Sequence, residues 1–273
     1  MDDVGVPASE HVVERAGCRL HYWLAGPEAA PLVVLTHGMA LDHRMFADQL
    51  PALAGGYRVL TWDMRGHGLS QPAGAPFTIA RAVDDLLAIV FHAGRQRAVF
   101  VGHSLGGIVA QELAFRFPAR VVGLAAFGCS CATLPVARPL ALALGLAPLS
   151  LALLGRLPYW PVQRLGIARM AERREVRALA ADMAGRLARA TFLEVVAALA
   201  SSRHGERGYR VAQPLLLLYG ERDRYGNPRR AMRAWAARDQ HARVVGLPAA
   251  GHNANQDNPA AFNRALLAFL ASL

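Results

Sequence analysis

Short hydrophobic runs alternate along this chain with longer stretches in which apolar residues recur every three or four positions. The runs are rich in Val, Leu, Phe and Ile, and several are apolar throughout, which is typical of strands covered on both faces. The predicted strands are Arg19–Leu24, Leu32–Thr36, Arg58–Trp62, Ala98–Gly102, Val121–Phe127, Leu215–Tyr219 and Arg243–Leu247. The amphipathic stretches predict helices at Asp42–Leu53, Thr78–Ala93, Gly106–Phe117, Pro228–Arg238 and Pro259–Leu270. Strands that alternate with helices predict a mostly parallel sheet with helices on both faces.

The alternation stops in the third quarter of the chain, where apolar and helical patterns continue without strand-like runs. A long insertion in an otherwise regular sheet is usually a lid or a functional subdomain. Ligands bind beyond the carboxyl ends of the strands in open α/β sheets. We therefore predict an α/β core domain of residues 1–130 and 211–273, covered by an all-helical cap of residues 131–210.

The composition is typical of a folded globular protein. Hydrophobic residues make up 53% of the 273 residues and charged residues 18%, which excludes an intrinsically disordered chain. Three cysteines are too few for a disulfide framework and are typical of a reducing compartment. The first residues, MDDVGVPASEHVVER, lack the positive and apolar regions of a secretory signal. We therefore expect a cytoplasmic protein, as a monomer or homodimer.

The chain carries a formal net charge of +10, and its thirty basic residues other than histidine are all arginine. These arginines are spread along the chain, and the densest run is interleaved with Glu172 and Glu175. We interpret them as a solvated surface, with an anionic partner as the alternative. Because no nucleic-acid-binding module is recognisable, we expect no nucleic-acid partner.

One uncharged segment of 17 residues, Pro139–Gly155, raises the question of a membrane contact. Its length is the lower limit for a spanning helix, but Pro148 interrupts it near the middle. We predict two short apolar helices within the cap and no transmembrane segment. Peripheral lipid contact through the apolar cap is the alternative.

The sequence GHSLGG at residues 102–107 lies between a predicted strand and a predicted helix. In this setting G-x-S-x-G is the nucleophile elbow, a tight turn that exposes a serine above the edge of the sheet. Small residues must surround such a turn, which explains Gly102 and Gly106. Ser104 is therefore the candidate nucleophile. The backbone N–H of Leu105, at the start of the helix, is a candidate donor to an oxyanion.

A serine hydroxyl needs a base, and this architecture requires the chain order serine, acid, histidine. His252 follows Gly251 and lies between the last predicted strand and the last predicted helix. Asp223 comes just after the strand Leu215–Tyr219 and 29 residues before His252. We predict that His252 is the base and that Asp223 orients its imidazole. Glu221 is the competing acid, but it lies closer to the strand.

The oxyanion needs a second donor, and the loop after the strand Leu32–Thr36 offers one. We assign it to the backbone N–H of Met39, because Gly38 lets the chain turn sharply there. His37 is expected to hold this loop and not to act as a base. The chain has no Cys/His cluster with zinc spacing, so we expect no metal and no cofactor.

Together these motifs resemble the α/β-hydrolase superfamily, in its serine-nucleophile branch with a helical cap inserted after the sixth strand. The motifs are HGM at 37–39, DMRGHGLS at 63–70, GHSLGG at 102–107, GERD at 220–223 and GH at 251–252. The resemblance implies an eight-stranded sheet and a cofactor-free mechanism that uses Ser104, His252 and Asp223. It also implies that Asp63 and Arg65 belong to a structural loop. Relatives that open epoxides or remove halide carry Asp at the elbow, so Ser104 argues against both activities.

Hydrolysis of a carboxylic ester of a small hydrophobic molecule, through an acyl-enzyme, is the leading hypothesis. The same triad also serves lactones, thioesters, amides, C–C bonds and acyl transfer to peroxide in such relatives, and fold alone does not select among them. A ligand-binding protein on a hydrolase scaffold is a third hypothesis. Candidate pocket residues are His103, Cys129, Leu146, Leu149, Tyr159 and Trp160. The cap leucines either line an apolar pocket or pack the cap onto the core.

Overall fold

An eight-stranded sheet lies at the centre of the computed structural model, which describes residues 7–134, 159–202, 204–206, 208–225 and 227–273, with only the backbone at 159–163. The strands are β1 (Ala8–Arg15), β2 (Cys18–Ala25), β3 (Leu32–Thr36), β4 (Arg58–Trp62), β5 (Ala98–His103), β6 (Val121–Phe127), β7 (Leu215–Gly220) and β8 (Arg243–Leu247). Their spatial order is β1-β2-β4-β3-β5-β6-β7-β8. Strand β2 is antiparallel to both neighbours, and the other pairs are parallel. The predicted mostly parallel eight-stranded sheet is confirmed.

Helices cover both faces of this sheet. They are α1 (Leu50–Leu53), α2 (Ile79–His92), α3 (Leu105–Arg116), α4 (Tyr159–Met170), α5 (Arg174–Gly185), α6 (Arg189–Ser201), α7 (Pro228–Arg238), α8 (Ala254–Asp257) and α9 (Pro259–Leu270). Val34 of β3 packs in the cluster that contains α2 and α3, whereas its neighbours Val33 and Leu35 pack with α9. Because both faces of the sheet are buried here, β3 is apolar at every position but its last.

Three of the long helices, α2, α7 and α9, begin at a residue whose side chain caps the first turn. The Thr78 hydroxyl accepts a hydrogen bond from the N–H of Arg81, and the side chain of Asn227 accepts one from the N–H of Arg230. The side chain of Asn258 caps α9 in the same way. Proline, which has no N–H to satisfy, follows both asparagines. The predicted bounds of α7 and α9 are therefore the observed ones.

Two segments differ from the sequence prediction. The single helix predicted over Asp42–Leu53 is wrong, because the segment forms a 3₁₀ turn at His43–Phe46 and the one-turn helix α1. The Asp42 side chain accepts from the N–H of Arg44 and starts that tight turn, and proline stands at the start of α1. Strand β1 is missing from the predicted runs, because it is an edge strand whose side chains are exposed or half-buried.

The described chain between β6 and β7 includes three helices, α4 to α6, which we call the helical insertion (residues 159–202). Val195 of the insertion packs in the core on one face of the sheet, and Met170 and Met183 pack in the core on the other. The insertion therefore contacts the core on both faces of the sheet. The domain limits predicted above stay predictions, and the apolar segment Pro139–Gly155 lies outside the described residues. No helix within the described ranges is long and apolar enough to cross a membrane.

Buried charges hold the loop of residues 63–70 that follows β4. The Arg65 side chain is 1% exposed and donates to both carboxylate oxygens of Asp85, at 2.9 and 2.8 Å. It also donates to the carbonyl oxygen of Arg15. The Asp63 carboxylate accepts from the N–H of Leu69 at 2.7 Å. These side chains act on the backbone around them, which agrees with the structural role that the resemblance implies for Asp63 and Arg65.

Asp85→Asn should leave the Arg65 guanidinium buried without its counter-charge. We expect the free energy of unfolding, measured with urea, to fall by about 3–5 kcal/mol. The neighbouring residue Asp84 is the matched control, because its ion pair with Arg116 lies at the surface. Asp84→Asn should cost less than about 1 kcal/mol. Equal losses in the two variants would contradict this account of the loop.

Candidate active site

The turn between β5 and α3 holds Ser104 in a strained conformation. Its backbone has φ 49° and ψ −110°, a region that L-residues rarely adopt and that costs on the order of 1–3 kcal/mol. The Ser104 N–H donates to the carbonyl of Phe127 at 2.8 Å, and its carbonyl accepts from the N–H of Ile108 at 3.1 Å. The residues on either side, His103 and Leu105, are buried, whereas Ser104 is partly exposed. The turn thus presents the serine at the carboxyl edge of the sheet, as the motif predicts.

Two glycines make this turn sterically feasible. A Cβ on Gly102 would lie 2.3 Å from the carbonyl oxygen of Gly106. A Cβ on Gly106 would lie 2.3 Å from the carbonyl oxygen of Thr36, in β3. Backbone therefore packs directly on backbone at both positions. The strand, the turn and the loop after β3 can approach this closely only because these residues have no side chain.

The loops after β7 and β8 bring Asp223 and His252 together. The Nδ1 atom of His252 lies 2.8 Å from Oδ2 of Asp223, and these side chains are 6% and 0% exposed. A carboxylate only accepts, so His252 Nδ1 donates the proton of this hydrogen bond. The other carboxylate oxygen of Asp223 accepts from the N–H of Tyr225 at 2.8 Å. The competing acid Glu221 is exposed, and the structure pairs His252 with Asp223 instead.

His103 packs beneath His252. Its Nε2 donates to the carbonyl oxygen of His252 at 3.1 Å, and the two rings make an edge contact with centroids 4.7 Å apart. Burial, with a smaller contribution from His252, holds the pKa of His103 well below its ordinary value. Its Nδ1 has no hydrogen-bond partner within the described part of the chain. His103 is therefore a neutral residue that supports the backbone of His252.

The loop after β3 brings Met39 to the same edge of the sheet. Gly38 to Leu41 form a tight turn, in which the N–H of Leu41 donates to the carbonyl of Gly38 and Ala40 has φ 60°. A Cβ on Gly38 would lie 2.5 Å from Nδ1 of His103. The N–H of Leu105 precedes the first hydrogen bond within α3, so it is free of a helical partner. The two N–H groups predicted to bind an oxyanion thus belong to adjoining segments.

Two further buried histidines hold the loops under the site. His37 accepts from the N–H of Met64 through Nε2 and donates to the carbonyl of Gly38 through Nδ1, at 2.9 and 2.8 Å. Both ring nitrogens are engaged in the loop, which agrees with the predicted supporting role of His37. Burial lowers the pKa of His37, and burial together with His37 lowers the pKa of His67 to about 3. Both rings are therefore neutral near pH 7.

A cavity of about 570 Å³ opens onto Ser104 and His252. Most of its lining is apolar, with a few polar groups from the loops and from the insertion. The lining residues are Met39, His103, Ser104, Ile108, Gly128, Cys129, Ser130, Met170, Leu199, Ser202, Tyr225, Asn227, Pro228, Ala231 and His252. A volume of this size suits a small organic ligand.

The predicted pocket residues have different outcomes. His103 and Cys129 line the cavity. Leu146 and Leu149 lie outside the described residues, and Tyr159 and Trp160 are described only as backbone in α4. The sequence prediction missed the cavity residues Met170, Leu199 and Tyr225. Tyr225 lies two residues after Asp223, and that spacing was the only signal in the sequence that could have found it.

Within the described ranges, one group of side chains lies at metal-binding distances, namely Asp42, His43 and Asp63. Both carboxylate oxygens of Asp42 accept from the guanidinium of Arg44, and Oδ1 of Asp63 accepts from His43. These groups already satisfy one another, so this cluster needs no ion to explain it.

A comparison with protein families places this geometry in a known context. The model of the alpha/beta hydrolase family matches residues 33–265. The chain belongs to the alpha/beta hydrolase family. The match includes the β5–α3 turn, the loops after β7 and β8 and the helical insertion.

Solved structures support the same assignment over almost the whole chain. A hydrolase from Pseudomonas aeruginosa PA01 is 28% identical, with a TM-score of 0.84 over 96% of this chain and 98% of that one. The enol-lactonase from Burkholderia xenovorans LB400 is 26% identical, with a TM-score of 0.73 over 96% of this chain and 100% of that one.

Curated relatives match the chain over shorter stretches. Epoxide hydrolase A of Mycobacterium tuberculosis is 37% identical over 126 residues, which are 45% of this chain and 39% of that protein. The 3-oxoadipate enol-lactonase 1 of Acinetobacter baylyi is 36% identical over 109 residues, which are 40% of this chain and 41% of that protein. The matched stretches thus span about two fifths of these relatives.

His67 is buried in its neutral form, which predicts that the protein loses stability in mild acid. Its pKa is about 3 in the folded protein and near the ordinary 6.5 in the unfolded chain. Between these values the unfolded chain binds the extra proton, so the free energy of unfolding falls as the pH falls. His67 should contribute about 1.4 kcal/mol per pH unit.

Urea unfolding of His67→Gln between pH 6.5 and 5 tests this contribution. The substitution should reduce the slope of the free energy of unfolding against pH by about 1.4 kcal/mol per pH unit. The same substitution at exposed His241 is the matched control. A His67→Gln variant with the pH dependence of the unaltered protein would contradict the neutral burial of His67.

Proposed function

We propose that this hydrolase cleaves a carboxylic ester of a small molecule through an acyl-enzyme intermediate. Ser104 is the nucleophile, His252 the general base and Asp223 the residue that orients the imidazole. One observation carries the proposal: His252, whose imidazole is paired with the buried Asp223, lines the same cavity as Ser104, which stands on a strained turn. The family match supports hydrolysis in general, and the residues support this particular chemistry.

The orientation of the imidazole defines the proton transfers. Asp223 holds the proton on Nδ1, so Nε2 is the atom that takes the proton from the Ser104 hydroxyl during attack on the carbonyl. His252 then returns this proton to the leaving alcohol as the tetrahedral intermediate collapses to the acyl-enzyme. Water, activated by the same nitrogen, releases the carboxylic acid and restores the serine.

The negative charge that develops on the carbonyl oxygen needs fixed donors. The N–H of Leu105 is available because it begins α3, and the positive end of that helix adds to its effect. The N–H of Met39 is the second donor in the proposal. The segments that carry them are closely packed, because a Cβ on Gly106 would lie 2.5 Å from the carbonyl oxygen of His37, so the two N–H groups need little reorganisation during the reaction.

The cavity favours a substrate with an apolar portion. Met39, Ile108, Met170 and Leu199 contribute apolar surface, and its volume is about 570 Å³. Burial of such a portion in an apolar cavity supplies binding energy, at roughly 25 cal/mol per Å². A cytoplasmic location, expected from the sequence, belongs to the same proposal.

Lactone hydrolysis is the second candidate, because enol-lactonases are among the similar proteins in both comparisons. A lactone is a cyclic ester, so the same attack, oxyanion and acyl-enzyme apply. Assays on a series of lactones and on open-chain esters of matched size distinguish the two candidates by kcat/KM. Epoxide opening is disfavoured despite the similarity to an epoxide hydrolase, because residue 104 is serine and not aspartate.

Ser104→Ala should lower kcat on nitrophenyl esters, from acetyl to dodecanoyl, by more than about 10⁴-fold, because no other group takes over the nucleophile's role. Ser130→Ala and Ser202→Ala are matched controls, because both serines line the same cavity. They should keep kcat within about tenfold. A loss of kcat in either control as large as that in Ser104→Ala would contradict the assignment of Ser104 as the nucleophile. Tight binding of a small ligand without turnover of any ester would favour the ligand-binding alternative.

A further inference from the structure

We propose that Asp257 and the corner between α4 and α5 (Met170–Arg173) form a brace that positions His252. In this view the helical insertion is part of the catalytic apparatus as well as a wall of the cavity. The inference rests on the proposed function, in which His252 is the base. Asp257 is a positioning residue, because it acts on His252 through the backbone and touches no reacting atom.

The backbone on each side of His252 is fixed by a different part of the brace. The N–H of Gly251 donates to Oδ2 of Asp257 at 2.7 Å. The N–H of Asn253 donates to the carbonyl of Met170 at 2.7 Å, and Met170 is the last residue of α4. The residues before and after His252 are thus held by Asp257 and by the insertion.

The same carboxylate reaches the insertion directly. The N–H of Glu172 lies 3.0 and 2.9 Å from the two oxygens of Asp257, and the N–H of Arg173 lies 3.0 Å from Oδ1. One carboxylate therefore accepts from three backbone N–H groups, two of them at the start of α5. Negative charge is also favourable at that end of a helix. Asparagine at this position would have only one accepting oxygen, and its NH₂ group would face an N–H donor without being able to accept from it.

The fit around Gly251 leaves the loop little freedom. A Cβ on Gly251 would lie 3.1 Å from Oδ2 of Asp257 and 3.3 Å from Cα of Ala171. The loop is therefore pressed between the carboxylate and the corner of the insertion. A shift of that corner must move Gly251, and with it His252.

Tyr225 provides a second connection from α4 to the imidazole. Its ring packs on that of His252 with centroids 4.5 Å apart, and its hydroxyl donates to the carbonyl of Gly166 at 2.5 Å. The helix is thus connected to residues around His252 near its middle and at its end. Arg173 adds a further bond, from its guanidinium to the carbonyl of Gln256.

Asp257→Asn tests the brace, with Asp239→Asn as the matched control. Asp239 is also a hydrogen-bonded carboxylate, since it accepts from Trp235 and Arg238, but it does not line the cavity. On a nitrophenyl ester, Asp257→Asn should lower kcat by about 10–100-fold, because a displaced base loses its alignment. KM should change much less than kcat, since Met170 is the one residue of the corner that lines the cavity. Asp239→Asn should keep kcat within about threefold.

The far-downfield ¹H resonance of the His252 Nδ1 proton, assigned by its loss in Asp223→Asn, gives a readout that needs no turnover. It should shift or broaden in Asp257→Asn and stay unchanged in Asp239→Asn. An Asp257→Asn variant with unaltered kcat and resonance would overturn the brace. So would an equal loss of kcat in Asp239→Asn, because general destabilisation would then explain both.

Two further variants keep the test decisive. If Asp257→Asn fails to fold, Gly251→Ala perturbs the same contact more gently and should show the same selective loss of kcat; unaltered kcat and resonance in that variant would overturn the brace. Ser104→Ala separates the brace from the proposed function. If Ser104→Ala retains activity, the proposed function is overturned, and the His252 resonance in Asp257→Asn still tests the brace. If Ser104→Ala loses activity while Asp257→Asn keeps its kcat and its resonance, only the brace is overturned.

Discussion

The direct packing of backbone on backbone at the β5–α3 turn is the constraint on which the site depends. Gly102 meets Gly106, and Gly106 meets Thr36 of β3, at distances that exclude any side chain. This packing, with the hydrogen bond from Ser104 to Phe127, stabilises the positive φ of Ser104. The same contacts start α3 at Leu105 and bring the loop of Met39 alongside. One steric arrangement therefore presents the serine and the two N–H groups that we propose to bind the oxyanion.

Around this turn, polar side chains that are fully buried hold the loops at the carboxyl ends of the strands. His37 fastens the loops after β3 and β4, and His103 supports the backbone of His252. Burial lowers the pKa of each ring, so each is neutral and its hydrogen-bond pattern is defined by its partners. The loops thereby gain fixed geometry without buried positive charge, which would be costly in this interior.

Much of this arrangement could be predicted from the sequence, because local patterns encode it. Strands buried on both faces are apolar throughout, and the helices that begin after Thr78, Asn227 and Asn258 have clear capping residues. The sequence predicts Ser104, Asp223 and His252 as candidates because each follows a predicted strand in the required order, and the structure pairs His252 with Asp223 and brings Ser104 and His252 to one cavity. Elements that depend on tertiary packing were missed: β1 is an exposed edge, and Tyr225 and Met170 reach the cavity through contacts between distant segments.

The insertion illustrates this limit most clearly. Its helical character was predictable from periodicity, but its connection to His252 depends on Asp257, which is more than 80 residues away in sequence from Glu172 and Arg173. We propose Ser104 as the nucleophile, and the mechanism depends on this assignment. Labelling with a fluorophosphonate, followed by peptide mass spectrometry, tests this claim most directly. We predict a single adduct on Ser104 that forms far more slowly in His252→Ala. An adduct on Ser130 or Ser202, or no adduct at all, would contradict the account.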